Sequence, residues 1–178
     1  SDVYKRQLEY WESYGIGSEA VTGFENIVGG NSAGPVIQTL FGNDAANTII
    51  GGSGSDILLG RGGGDVLSGG GGTDTLQGGD GNDVLNGGAG ADVVDGGSGT
   101  DDADYAGSGA AVTISLLTGN TVGGDAGGDT LSGIENLIGS AFSDFLKGDS
   151  GANRLTGGAS GDRLEGSAGD DVLAGGLG

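Results

Sequence analysis

Cut into nines from residue 51, the chain reads GGSGSDILL, GRGGGDVLS, GGGGTDTLQ, GGDGNDVLN, GGAGADVVD and GGSGTDDAD. The sixth place is always aspartate: Asp56, Asp65, Asp74, Asp83, Asp92 and Asp101. Glycine always holds the fourth place, and the eighth runs Leu58, Leu67, Leu76, Leu85, Val94 and Ala103. A short period kept in three residue types at once restricts the chain to a solenoid, because a unit with one buriable residue can hide it only by stacking on its neighbours. Without that period, 46 glycines and 5% aromatic residues would describe a disordered, low-complexity chain.

The frame extends in both directions. GNDAANTII, residues 42 to 50, fits it with Asn47 in the aspartate place. After an interruption it returns as GSAFSDFLK, GDSGANRLT, GGASGDRLE and GSAGDDVLA, with Asp144, Asn153, Asp162 and Asp171 in the sixth place. TGFENIVG at 22 to 29 is echoed by SGIENLIG at 132 to 139, so a larger unit of roughly 106 to 110 residues is itself duplicated. The expected division is a leader at 1–7 that looks like translated adapter sequence, and a spacer remnant with a degenerate repeat at 8–41. A first array at 42–104, a spacer at 105–138 and a second, degenerate array at 139–178 follow; the last stops within a nonapeptide, as a fragment would.

Within one unit, the six glycine-rich residues ending in aspartate are expected to form a turn, unable to hold helix or strand. The remaining three, such as Val84, Leu85 and Asn86, make a very short strand with one side chain inward. Two such halves give a coil of about 18 residues. Val112, Ile114 and Leu116 alternate as in an ordinary packing strand. One leucine per nine residues cannot offset the entropy of ordering so much glycine, so the folded form needs a ligand. The ranked aspartates and a net charge of −19 call for a cation. With no histidine or cysteine, the only ligands are oxygens, which suit a hard ion of the calcium type.

The same inventory excludes other classes. There is no disulfide framework or thiolate metal site, and no apolar run approaches the roughly 20 residues of a membrane span. The acidity argues against nucleic acid and anionic membranes as partners. GNSAG at 30 to 34 and GDSG at 148 to 151 imitate serine-nucleophile motifs, but neither Ser32 nor Ser150 has a histidine to activate it. The chain is therefore read as non-enzymatic.

GGDGNDVLN and its neighbours resemble the RTX, or haemolysin-type, calcium-binding nonapeptides GGxGxDxUx, where U is a large aliphatic residue. Residues 101 to 142 look like the spacer found between such arrays. The resemblance implies a parallel β-roll, with successive nonapeptides on two facing sheets and calcium between turns stacked on one side. Asp56, Asp74 and Asp92 would then line one edge and Asp65, Asp83 and Asp101 the other, with Asp74 and Asp83 each shared between two ions. Backbone carbonyls of Gly52, Gly54, Gly70, Gly72, Gly79, Gly81, Gly88 and Gly90 are candidate further ligands.

Departures from the pattern predict weaker sites at Asn47, Asp144, Asn153, Asp162 and Asp171, and Arg61 is expected to bring a cation near the site that includes Asp83. The oxygen count suggests about four ions in the first array and at most one or two in the second. The resemblance further implies a secreted or cell-surface bacterial protein, exported by type I secretion and folding where calcium is abundant, with this module monomeric within a larger chain. The alternatives are an adhesive or ice-binding repeat surface, and an accessory module of a hydrolase, epimerase or toxin. An ice-binding array would need a regular outward threonine or asparagine, and the fifth place is mixed.

Overall fold

A computed structural model describes residues 7–8, 20–21, 26–29 and 37–178. Residues 1–6, Trp11 and the GNSAG segment with Ser32 lie outside them. Among the described residues the fold is all-β, apart from one 3-10 turn at Gly124–Ala126. It is a parallel β-solenoid of the β-roll kind.

The longest sheet is ordered Gln7–Leu8, Asn26–Val28, Thr48–Ser53, Val66–Gly71, Val84–Ala89, Asp102–Asp104, Asn136–Ile138, Arg154–Thr156 and Val172–Ala174. A second holds Ala20–Val21, Thr39–Phe41, Ile57–Gly62, Thr75–Asp80, Val93–Ser98 and Thr130–Ser132. Successive nonapeptides thus alternate between sheets. Leu67 pairs with Leu85 in the first sheet and Leu58 with Leu76 in the second, which gives the 18-residue coil that the period predicts.

Every eighth-place residue from Ile49 to Ala103 is buried, as are Leu137, Leu146 and Leu155 further on. These residues form one narrow core running along the roll. Its seventh- and ninth-place neighbours point outward, as the pleat requires.

The strands correct one expectation. From Thr48–Ser53 to Val93–Ser98 they span six residues rather than three: Val84–Ala89 continues through Gly87 and Gly88. Leu85 and Gly87 are both buried, two residues apart on the inward face. A glycine-rich stretch holds a strand here because the first-place glycine lies beneath its own repeat's aspartate. A Cβ on Gly51 would sit 2.7 Å from Asp56 Oδ2 and 2.7 Å from the Gly69 carbonyl oxygen. Absence of a side chain is therefore what lets this residue stay in the sheet.

The longest sheet runs unbroken through both arrays, since Asp102–Asp104 pairs with Asn136–Ile138. On the opposite face the spacer divides the roll. Thr130–Ser132 adds to Val93–Asp95, whereas Thr113–Ser115 opens a third sheet with Phe145–Lys147 and Arg163–Glu165. Asn120–Val122 folds back antiparallel on Thr113–Ser115. Val112 and Ile114 point into the core, Leu116 packs at its margin, and Tyr105, Ala126 and Ile134 fill the space around them.

Candidate cation sites along the roll edges

The sixth-place residue ends each turn and turns its side chain inward; Asp74 and Asp101 are 0% exposed. Two hydrogen-bonded ladders result. Asp74 Oδ1 accepts from the Asp56 N–H at 2.7 Å, and Asp92 Oδ1 from that of Asp74 at 2.8 Å. On the other edge Asp83 Oδ1 accepts from Asp65 at 2.7 Å and Asp101 Oδ1 from Asp83 at 2.8 Å. Asp56 and Asp65 take the N–H groups of Gln38 and Asn47 in the same way.

One oxygen per carboxylate is thereby used, and the other is not. Oδ2 of Asp56, Asp65, Asp74, Asp83, Asp92 and Asp101 is buried with no hydrogen-bond partner, and Asp162 Oδ2 shares that state. A buried carboxylate oxygen without a donor is strongly disfavoured unless a positive charge meets it. Among the described residues no three acidic side chains gather around one point, so an ion would draw on backbone oxygens as well.

Such oxygens are close by. The second- and fourth-place carbonyls project along the roll toward the same places of the next coil. A Cβ at Gly70 would overlap the Gly52 oxygen, one at Gly72 that of Gly54, one at Gly88 that of Gly70 and one at Gly90 that of Gly72. The Gly79 and Gly81 oxygens stand in the same relation to Gly97 and Gly99. Donor set and unpaired oxygens both fit a hard cation.

The model of the RTX calcium-binding nonapeptide repeat matches residues 37–67, 68–103, 123–161 and 147–178, most of the chain. The chain belongs to this family. No curated protein matches it.

The RTX frame is uneven along the molecule. Asp144 is occupied by protein donors, with Oδ1 taking the Val112 N–H at 2.7 Å and Oδ2 that of Ser140 at 2.6 Å. Asn153 Oδ1 accepts from Asp149, and its amide donates to the Glu135 carbonyl. Asp162 and Asp171 accept from Asp144 and Asn153, so the ladder continues, but both are only half-buried. Asn47 is buried and accepts from Asn43 at 2.7 Å.

Arg61 behaves differently from the expectation. Its guanidinium lies 5.5 Å from the centre of the Phe41 ring on the outer face, so the charge is directed away from the interior. Only its backbone, at φ 86, follows the glycine it replaces.

Two residues that the nonapeptide frame does not contain complete the ladders. Asp129 Oδ1 accepts from the Asp92 N–H at 2.9 Å, and Glu135 Oε2 from that of Asp101 at 2.9 Å. Both come from the spacer, which supplies the next rung on each edge. Their sequence spacing of 37 and 34 hides them from any nine-residue search.

Burial raises the carboxyls of Asp56, Asp65, Asp74 and Asp83 above their ordinary range. Asp92 and Asp101 are pushed up to about 6, first by burial and then by the negative charges of Asp129 and Asp74 for one, and of Asp83 and Glu135 for the other. A raised folded-state value means that the metal-free fold holds protons the unfolded chain releases. Its stability from these groups is complete below the unfolded value of about 3.9 and is lost as pH rises through the folded values. In chelator, acidification from pH 7 to 4 should therefore increase the β-sheet circular dichroism signal, with a midpoint between about 4 and 6. A signal that stays flat or falls over that range would contradict the assignment.

Proposed function

We propose that this RTX module takes up calcium through its sixth-place aspartates and turn carbonyls, and that binding drives its folding after type I secretion from a bacterium. The row of unpaired Oδ2 atoms, repeated at six successive nonapeptides, carries this reading. Calcium supplies positive charge and several coordination positions to oxygens that no protein donor reaches. The chain's own part is to hold those oxygens in register at 18-residue intervals and to keep competing donors out.

About four ions belong to the first array on this reading, by the oxygen count that calcium needs. The second array takes fewer, because Asp144 and Asn153 are already satisfied by protein donors. The role is structural rather than catalytic: Ser150 of the GDSG motif is exposed, and the chain has no histidine to activate it. The outward rows of the second sheet read Thr39 and Phe41, Ile57 and Leu59, Thr75 and Gln77, Val93 and Asp95, too mixed for a flat ice-binding or adhesive array.

Calcium titration of variants tests the sites. Asp74→Asn or Asp83→Asn should raise the calcium concentration at half-folding by about tenfold and reduce the cooperativity, since each loses an inner carboxylate charge. Asp171→Asn should shift it far less. Asp80→Asn should leave it unchanged, because Asp80 is exposed. Equal shifts in all four variants would reject the assignment.

A further inference from the structure

The spacer does without a cation what the arrays cannot. Asp129 continues the ladder of Asp56, Asp74 and Asp92, yet its second oxygen is paired: the buried Tyr105 hydroxyl donates to Oδ2 at 2.8 Å. Burial and the charge of Asp129 raise the Tyr105 pKa, so the phenol keeps the proton it donates. Asp144, on the other side of the spacer, is closed by Ser140, whose Oγ lies 2.8 Å from Oδ1 and whose N–H meets Oδ2. Around these carboxylates the block has ties of its own. Ser108 Oγ accepts from the Asp125 N–H and donates to the Ala110 carbonyl, and Thr121 Oγ1 donates to the Asp129 carbonyl. Its buried apolar residues include Tyr105, Val112, Ile114 and Ile134, more per residue than a nonapeptide offers.

We propose that residues 102–147 are a metal-independent folding seed, on whose exposed rungs the calcium-dependent first array assembles. This rests on the calcium-driven folding proposed above. The Tyr105 hydroxyl takes the place a cation holds at the other rungs, so the block meets its own electrostatic need. Its ladder groups then meet the array directly: Asp129 Oδ1 receives Asp92, Glu135 Oε2 receives Asp101, and Thr130–Ser132 pairs with Val93–Asp95. Assembly consequently proceeds from Asp101 and Asp92 toward Asn47, one coil at a time.

Hydrogen exchange of the full chain, read by mass spectrometry in chelator and in excess calcium at pH 7, tests this. In chelator, amides of 102–147 should exchange about tenfold or more slower than those of 48–98, and calcium should bring the two regions together. Tyr105→Phe, which leaves Asp129 Oδ2 buried without a donor, should abolish the protection in chelator and raise the calcium midpoint of the first array. A second variant, Asp80→Asn at an exposed position, serves as the control and should do neither. Uniformly fast exchange in chelator with recovery in calcium would overturn the seed while leaving calcium-driven folding intact. Uniformly slow exchange in chelator would overturn both.

Discussion

Removing calcium at neutral pH should abolish the β-sheet circular dichroism signal of the first array, and calcium in excess of the chelator should restore it where magnesium does not. The expected effect is the whole of that array's folded signal, because the same feature recurs in every coil. Each sixth-place aspartate from Asp56 to Asp101 is buried with one oxygen unpaired, and rungs on the same edge are joined through hydrogen bonds. At pH 7 the metal-free roll must either bury these charges or keep protons on them, and both are unfavourable. The core, with one aliphatic residue per coil on each sheet, is too thin to compensate. Magnesium demands a smaller, near-octahedral oxygen shell and dehydrates reluctantly, which an array of fixed backbone carbonyls does not satisfy. An equal signal with and without calcium would refute the reading.

The second large effect is expected from Gly69→Ala set against Gly71→Ala, two residues apart in one repeat. A Cβ on Gly69 would lie 2.6 Å from the Gly87 carbonyl oxygen and 2.9 Å from Asp74 Cβ, besides overlapping Asp74 Oδ2. To relieve this, Asp74 must leave its place in the ladder or the two coils must separate. Overpacking of this kind costs about 3 kcal/mol. At Gly71 a Cβ meets nothing within 4 Å, and that change should stay within about 0.5 kcal/mol. Thermal unfolding in saturating calcium measures both. Similar losses for the two variants would mean that the aspartate does not fold back over the first glycine.

Much of this arrangement was legible in the nonapeptides. The 18-residue coil, the alternation between two sheets and the inward leucines follow from one buriable residue per nine and the pleat of a strand. The grouping of Asp56, Asp74 and Asp92 apart from Asp65, Asp83 and Asp101 follows from the same alternation. The strand length did not, because glycine-rich sequence reads as turn whenever the reason for the glycine is invisible. At Gly51 or Gly69 that reason is an aspartate five residues later folding back over it. Arg61 was misread on similar grounds: its place in the repeat says where its backbone lies, while Phe41, twenty positions earlier, decides where its charge goes.

The repeat by itself determined a solenoid with carboxylate oxygens in register along two edges, since period and composition allow no other way to bury an aliphatic residue or gather a charge. What only the tertiary structure decided is how those edges end. Asp129 and Glu135 enter the ladders from outside the frame, and Tyr105 reaches across 24 residues to close the one carboxylate oxygen that the array leaves open at its other rungs. A ladder of hydrogen bonds repeats wherever its coils repeat, but its last rung must be supplied by whatever chain the fold brings alongside.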